Sequence, residues 1–423
     1  SKIVFCCGMF NLKSEPLLDA SVLKNLFKRY QFQKQPLQAK SNHPRLVAPL
    51  YLDRTFATEK TVVNSLIEKY NTSSNQPDII AAGLPVTKLS PSQIETYNSC
   101  PFKYFLSYHG ALRPLPESKI QANHTGTLIH HLIEQSQDFI ENYDFDAVGP
   151  HLRVLTEQFA SDNRIAKTSY NDLLLRRIQE DMVVTLAILN KQHQISHSNI
   201  LATEKYVSLA TDELSLHGKI DRVNVSDDYV AVVDYKGSAK KLDEKYLVLG
   251  VNIQMMVYLY MMARQDERKP GGVFYFNYAP MTLQSKEPLK QATLDPAVLL
   301  KEKRMVGLLD EDFADMIESV EPSEEALTFK ARKLKSGNWA SNAPVKSKDQ
   351  LSALMNEIIL YIEKLGGNLA TGKIPIAPII SDIEDKQFLK PCTYCDYKAI
   401  CKFDPFYNEY RNLAKEVKEN ESK

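Results

Sequence analysis

The stretch LSLHGKIDRVNVSDDYVAVVDYKG, residues 214–237, predicts two β-strands joined by a tight turn. Its second half carries the apolar run VAVV directly before Asp234 and Lys236. Side chains two residues apart in a strand lie on one face of the sheet, so Asp234 and Lys236 are expected to point the same way. If Asp227 and Asp228 form a two-residue hairpin turn, the register sets Asp221 directly across from Asp234.

Two carboxylates that face each other across a sheet repel, so this arrangement makes most sense where a divalent cation lies between them. Lys236 would then reach the same space. A three-residue turn with a bulge would shift the pairing, and DD is a weaker turn signal than NG. Taken singly, each charged residue is better explained as part of a solvated strand face. Together, at the end of an apolar strand, the acids and the lysine favour a functional site.

The elements around this hairpin alternate between helical and strand patterns. Ser90, Pro91 and Gln93 predict a capping box that opens a short helix, which Pro101 interrupts. Apolar spacing predicts helices over 126–142, 170–192, 248–264, 295–318 and 347–365, and strands over 202–210 and 271–278.

Composition restricts the function without deciding it. The chain has 423 residues, 43% of them hydrophobic, and its 52 basic residues equal its 52 acidic ones. It therefore lacks the global basic charge of a nucleic-acid coat protein, and any nucleic-acid role must come from a local site. No apolar run approaches the ~20 residues needed to cross a bilayer, and the first residues lack the features of a secretory signal. We expect a cytoplasmic protein, and Ser1 suggests a fragment or a processed chain.

Three cysteines lie close together near the end of the chain, in PCTYCDYKAICKFDP, residues 391–405. Cys392, Cys395 and Cys401 are candidate metal ligands. Because metals bound by cysteine usually take four ligands, a fourth must come from elsewhere in the chain. Cys6 and Cys7 lie outside this pattern and are expected to be ordinary thiols.

Four short motifs in order resemble the PD-(D/E)XK nuclease superfamily in its RecB-like branch: GTLIHHLIE from residue 126, GKIDRVN from 218, VVDYKGS from 232 and QMMVY from 254. The resemblance implies an α/β fold with a central mixed β-sheet flanked by helices. It implies that His130, Asp221, Asp234 and the main-chain carbonyl of Tyr235 bind Mg²⁺ or Mn²⁺. Lys236 would position or activate the attacking water, and Gln254 and Tyr258 would approach DNA. The family often has glutamate where this chain has Asp234.

The sequences around the cysteines are similar to the AddB/RexB subunits of bacterial helicase–nucleases, in SPSQIETYNSCPFKYFL from residue 90 and CTYCDYKAICKFDP from 392. That likeness implies a [4Fe–4S] cluster held by Cys100, Cys392, Cys395 and Cys401, with helical additions to the nuclease core. Structural Zn²⁺ remains the alternative, because spacing alone does not distinguish the two.

The same resemblance implies a helicase tail or linker over 1–85, a nuclease domain over 86–410 and a polar tail over 411–423. It implies an AddA/RexA-type partner, and degradation of the unwound 5′-ended strand of DNA in double-strand-break repair. Two alternatives stay open. One is a stand-alone RecB-like or CRISPR-associated exonuclease. The other is a non-catalytic DNA-binding scaffold stapled by zinc, although such a scaffold has no need of opposed acids.

Overall fold

The computed structural model describes residues 88–110, 112, 122–211, 214–238, 242–280, 296–372, 374–380, 391–401, 403 and 410–412. The predictions for residues 1–85, for Cys6 and Cys7 and for the far C-terminal tail lie outside this part. The described residues fall into two compact units, which we call the sheet unit (88–95 and 122–370) and the cysteine unit (96–112 and 371–412). Because residues 86–410 contribute to both units, the single nuclease domain over that range stays a prediction.

The sheet unit is built on a mixed sheet of seven strands. They are β1 Lys88–Leu89, β2 Asn199–Ala210, β3 Ser215–Ser226, β4 Tyr229–Lys236, β5 Lys269–Asn277, β6 Val306–Asp310 and β7 Val345–Lys346. Hydrogen-bonded neighbours follow the order β1-β3-β4-β5-β6-β7, and β2 also pairs with β3. The β2–β3, β3–β4 and β5–β6 pairs are antiparallel, and the β1–β3, β4–β5 and β6–β7 pairs are parallel. The predicted mixed sheet is therefore confirmed.

Strand β4 lies at the centre of this sheet. Its first seven residues are buried, and its last residue, Lys236, is only half-buried. A strand that is covered on both faces needs a continuous apolar run, which the sequence supplies as Val230–Val233. The strand therefore carries its two charged residues, Asp234 and Lys236, at the end where it leaves the core.

The helices of the two units follow in chain order. They are α1 Pro91–Ser99, α2 Pro101–Tyr104, α3 Ala122–Glu134, α4 Gln137–Glu141, α5 Phe145–Asp162, α6 Ser169–Ile195, α7 Glu244–Leu247, α8 Gln254–Gln265, α9 Pro296–Glu302, α10 Glu311–Ile317, α11 Lys348–Ala370 and α12 Lys398–Cys401. Helix α1 has the predicted capping box: Gln93 donates its main-chain N–H to Ser90 Oγ, and Ser90 donates its own to Gln93 Oε1 at 2.7 Å. None of the helices in the described residues is long and apolar enough to cross a membrane.

Three of the helix predictions were wrong in detail. The helix predicted over 248–264 begins only at Gln254, after the short helix α7 and a turn. The helix predicted over 126–142 is two helices, α3 and α4, separated by a turn at Gln135 and Ser136. The helix predicted over 295–318 contains strand β6 between α9 and α10. A short apolar run such as VGLLD fits a buried strand as well as a helix, and only pairing with β5 decides for the strand. Helix α5 was not predicted, because Gly149 and Pro150 interrupt its pattern.

The cysteine unit joins segments that are far apart in sequence. Pro101 begins α2, which continues into one π-helical turn over Phe105–His109. Tyr397 donates its hydroxyl to the Leu112 carbonyl at 2.8 Å, and Arg411 donates to the side chain of Asn98 at 2.6 Å. Strand β8, Ile379–Ile380, pairs in parallel with β9, Arg411–Asn412. Within this unit, the segment around Cys100 and the C-terminal segment are therefore held together by side-chain hydrogen bonds.

Candidate active site

The β3–β4 hairpin sets two carboxylates opposite each other. The two strands are joined by a turn at Asp227 and Asp228, and Arg222 pairs with Val233 in the register that a two-residue turn predicts. One step further along the ladder, Asp221 and Asp234 fall at opposed positions. The register predicted for a two-residue turn is therefore confirmed, and its continuation by one residue sets the two acids opposite each other.

The main chain of Tyr235 is held at both its polar groups. Its N–H donates to Asp221 Oδ2 at 2.9 Å, and its carbonyl oxygen lies 2.8 Å from His130 Nε2. His130 Nδ1 lies 3.3 Å from the same Asp221 oxygen. Helix α3 thus brings His130 onto the hairpin, and the structure brings together the acids, the histidine and the carbonyl that the sequence predicted.

Asp234 is almost completely buried, with 3% of its surface exposed. Lys236 Nζ donates to Asp234 Oδ1 at 3.0 Å and lies 2.7 Å from Oδ2, which accepts no hydrogen bond of normal geometry. Burial raises the pKa of Asp234 to about 6, and the nearby charge of Asp221 adds to this, although Lys236 and His130 oppose it. The site therefore concentrates more negative charge than its own cations neutralise.

His130 faces acceptors with both ring nitrogens. Burial would lower the pKa of its imidazole, but the hydrogen bond and charge of Asp221, with the charge of Asp234, outweigh burial and raise that pKa. The carboxylates therefore favour the charged form of this imidazole. The ring of its neighbour His131 lies instead near Phe159, at 6.1 Å between centroids. The structure thus assigns to His130 the position that the motif predicted.

Glu204 on strand β2 also reaches the site, and sequence reasoning missed it. His130, Glu204 and Asp221 each offer one possible ligand atom, and these three atoms lie within 4.8 Å of one another. Glu204 has a left-handed backbone, with φ of 48°, and forms an ion pair with Lys219 on β3. A left-handed glutamate in a strand has no sequence signature, because the strand pattern itself predicts extended backbone. Only the observed backbone conformation of β2 reveals this carboxylate.

Gln254 and Tyr258 lie on α8 beside strand β3. Tyr258 is 5% exposed, and its hydroxyl is within hydrogen-bonding range of the Gln254 side chain and the Lys219 main chain. A Cβ atom placed on Gly218 would lie 2.4 Å from the Tyr258 ring. Tyr258 therefore packs α8 onto β3 at the glycine of the GKIDR motif. Gln254 is half-buried at the start of α8, and contact of either residue with DNA stays a prediction.

The donor set of this site suits a hard divalent cation. It combines carboxylate oxygens, a main-chain carbonyl and one imidazole, which favours Mg²⁺ or Mn²⁺ over a thiolate-bound metal. The burial of Asp234 opposite Asp221 provides a further indication, because two carboxylates in a buried space repel unless a cation lies near them. The residues present therefore fit the metal that the fold family implies.

The four predicted cluster ligands line one cleft of the cysteine unit. The side chains of Cys100, Cys392, Cys395 and Cys401 border a cleft whose other walls include Phe102, Pro391 and Phe403. Burial, together with the other three thiols, raises the pKa of Cys392 to about 11, and burial also raises the pKa of Cys100 and Cys401. Thiols gathered in this way stay protonated until a cation stabilises their thiolates.

The mixed sheet carries two opposed acids and a lysine on two adjacent strands. This combination of fold and site indicates a nuclease domain. A family model described as "PD-(D/E)XK nuclease superfamily" matches residues 88–402. The chain belongs to this superfamily.

Its curated relatives include proteins named as one subunit of an "ATP-dependent helicase/deoxyribonuclease". The protein of that name from Oceanobacillus iheyensis is 26% identical over 408 residues, covering 86% of this chain and 34% of that protein. The one from Exiguobacterium sibiricum is 28% identical over 394 residues, covering 81% and 33%. This chain thus spans about a third of the length of these relatives. Among solved structures, "Crystal structure of SSO0001" matches with a TM-score of 0.20 at 11% identity, covering 71% of this chain and 93% of that one, a likeness too low to define a fold.

Proposed function

We propose that this chain is the nuclease part of a helicase–nuclease subunit and hydrolyses DNA with the help of Mg²⁺ or Mn²⁺. The observation that carries the proposal is the convergence of side chains at the end of strand β4: His130 and Asp221 contact the main chain of Tyr235, and Lys236 pairs with Asp234. The substrate is the 5′-ended strand released by unwinding, and the process is double-strand-break repair in the cytoplasm. These assignments follow the names of the relatives and the motif resemblance.

Asp221, Asp234, His130 and the Tyr235 carbonyl would hold the catalytic cation, and Glu204 would contribute a further carboxylate. When bound, the cation supplies charge neutralisation at the phosphate and lowers the pKa of a water ligand. Binding of the cation requires His130 to give up its proton, so metal affinity is expected to rise with pH.

Lys236 would act on the attacking water. Its ammonium group lies beside Asp234 and is 28% exposed, so it faces both the acids and the solvent side of the site. In hydrolysis the water oxygen forms a new bond to phosphorus while the bond from phosphorus to the leaving oxygen breaks. The water releases one proton, and the leaving oxygen takes up one. Orientation of that water by Lys236 would place its lone pair in line with the bond that breaks.

The cysteine unit would hold a [4Fe–4S] cluster. The assignment follows the resemblance of the cysteine segments to the AddB/RexB subunits, and it is supported by the four thiols that line one cleft. Four thiolates also suit a single zinc ion, so metal analysis distinguishes the two.

The proposed partner is an AddA/RexA-type helicase–nuclease subunit, because the relatives are named as a subunit of a helicase/deoxyribonuclease and not as the whole enzyme. The stand-alone RecB-like exonuclease remains the second candidate, and copurification decides between them. The full-length protein, expressed with the helicase subunit of the same genome, is expected to elute as a heterodimer.

The nuclease proposal is tested by incubating the chain with single-stranded DNA labelled at the 5′ or the 3′ end, in Mg²⁺, in Mn²⁺ and in chelator. We expect cleavage only with metal, and loss of at least about 1,000-fold in Lys236→Met, because the water then lacks its orienting group. Lys269→Met is the matched control, since Lys269 pairs with Asp228 at the hairpin turn, away from the acids. Metal-independent cleavage, or full activity in Lys236→Met, would contradict the site.

A further inference from the structure

The turn that follows strand β5 is held rigidly beside the candidate site. Tyr278 donates its main-chain N–H to the Lys236 carbonyl at 3.0 Å, and Ala279 donates its own to the Asn277 side chain at 3.0 Å. Lys303, 7% exposed, donates to the Asn277 carbonyl at 2.8 Å and also to the Ala279 carbonyl. A buried ammonium group therefore fixes the carbonyls on either side of Tyr278.

The ring of Tyr278 lies in a space that two glycines leave open. A Cβ atom on Gly237 would lie 3.0 Å from the Tyr278 hydroxyl, and one on Gly126 would lie 3.6 Å from it. The ring meets the His130 imidazole nearly at a right angle, with 6.1 Å between centroids. Gly126 lies one turn before His130 in helix α3, and Gly237 directly follows Lys236. Tyr278 thus lies between the two elements that supply the site.

The Tyr278 side chain is half-buried, and its hydroxyl has no hydrogen-bond partner among the described residues. The neighbouring donors are committed: Lys236 to Asp234, His130 to the Tyr235 carbonyl and Lys219 to Glu204. A phenol keeps its proton at neutral pH, because its ordinary pKa is about 10. A fixed, neutral O–H donor therefore stands uncommitted at a site rich in carboxylates.

We propose that the Tyr278 hydroxyl donates a hydrogen bond to a phosphate oxygen of the DNA strand that enters the site. The inference rests on the proposed nuclease function and adds a substrate-contacting residue to it. The oxygens of a phosphodiester accept hydrogen bonds but cannot donate them. A neutral hydroxyl can donate to such an oxygen, and unlike a cation it forms no ion pair with the nearby carboxylates. The rigid turn removes most of the ordering cost that a mobile side chain would add to binding.

The test compares Tyr278→Phe with the parent, using kcat/KM on 5′-labelled single-stranded DNA and the affinity for Mn²⁺ measured by paramagnetic resonance without DNA. We expect kcat/KM to fall about tenfold, because a hydrogen bond to a charged acceptor is lost. The affinity for Mn²⁺ is expected to stay unchanged, since the ring beside His130 remains. Tyr170→Phe is the control, because Tyr170 is 67% exposed on helix α6.

A Tyr278→Phe variant with unchanged kcat/KM overturns the proposal. If Tyr278→Ala alone reduces kcat/KM, the ring and not the hydroxyl is what matters, which also overturns it. If Tyr278→Phe weakens Mn²⁺ binding as strongly as it reduces kcat/KM, the hydroxyl acts through the metal site and the phosphate contact is refuted. A parent protein that cleaves no DNA with metal refutes the nuclease function itself, and the Tyr278 contact with it. Parent activity in the same series therefore separates the two failures.

Discussion

At the scale of single residues, the candidate site places ionisable groups where the folded chain alone does not stabilise them. Asp234 is buried opposite Asp221, and Lys236 and His130 offset only part of the repulsion. Glu204 adds a third carboxylate from a left-handed backbone position. Such positions normally cost free energy of folding, and they persist where a ligand or a reaction uses them.

Asp234→Asn is expected to stabilise the metal-free protein at pH 7.5. The pKa of Asp234 is about 6 in the folded chain and 3.8 in the unfolded one. A carboxyl with a raised pKa contributes stability below its unfolded pKa, and that contribution is lost as pH rises through about 6. Removing the charge should therefore raise the free energy of unfolding in chelator by on the order of 1–3 kcal/mol. Urea unfolding in chelator at pH 5 and pH 7.5 measures this.

The control for that prediction is Asp228→Asn in the exposed hairpin turn, which should not gain stability at pH 7.5. The gain for Asp234→Asn should shrink at pH 5, because the parent carboxyl is then largely protonated. Loss of stability in Asp234→Asn at pH 7.5 would contradict the assigned electrostatics.

Glu204→Gln is expected to weaken Mn²⁺ binding by about tenfold, if Glu204 contributes to the metal site as proposed. The substitution keeps the size of the side chain, and its amide oxygen keeps a contact for Lys219. Calorimetric titration with Mn²⁺ measures the affinity, with Glu267→Gln as the control. Glu267 also has a left-handed backbone, with φ of 52°, but lies after helix α8. Equal Mn²⁺ affinity of Glu204→Gln and the parent would remove Glu204 from the site.

At the scale of elements, glycines set how closely helix, strand and side chain approach. Gly218 in strand β3 packs against the Tyr258 ring of helix α8, and Gly307 in β6 packs against the Val273 carbonyl of β5. These glycines leave no room for a methyl group. In contrast, Gly149 in helix α5 has no heavy atom within 4 Å of an added Cβ. The sequence shows fifteen glycines, and only packing separates those that an approach requires from the others.

Gly218→Ala is expected to destabilise the protein by about 1–3 kcal/mol, because the Tyr258 ring must leave its position on β3. Gly367→Ala in helix α11 is the matched variant and should stabilise by about 0.5–1 kcal/mol, since no heavy atom lies within 4 Å of an added Cβ and alanine costs less backbone entropy than glycine in a helix. Thermal and urea unfolding of both variants provide the comparison. A neutral Gly218→Ala would show that α8 does not rest on β3 as described.

At the scale of the whole chain, two compact units carry two different kinds of chemistry. The sheet unit has oxygen ligands suited to a hard cation, and the cysteine unit gathers four thiols around one cleft. The cysteine unit is assembled from segments on both sides of the sheet unit in sequence. Metal binding to it therefore closes a long loop of chain, which is where a crosslink constrains the unfolded state most.

Cys100→Ser is expected to lose bound metal and to expose residues 96–112 and 371–412 to proteolysis. The anaerobically purified parent should be brown and contain about four iron and four sulfide per chain if the cluster is [4Fe–4S]. Cys6→Ser is the control and should keep its metal. Zinc at one per chain in a colourless parent would assign the thiols to zinc. Full metal content in Cys100→Ser would show that Cys100 is not a ligand of the metal that the other three cysteines bind.

The sequence by itself determined the β3–β4 hairpin, because a strand period of two and a two-residue turn fix which residues oppose each other. The apolar run before Asp234 likewise determined which strand lies at the centre of the sheet. Tertiary structure alone decided the rest of the site. It gave Glu204 a left-handed backbone near His130 and Asp221, and it placed the Tyr278 ring against His130. It also made β6 a strand, because pairing with β5 outweighs the local pattern. These outcomes depend on contacts between residues distant in sequence, which no local period encodes.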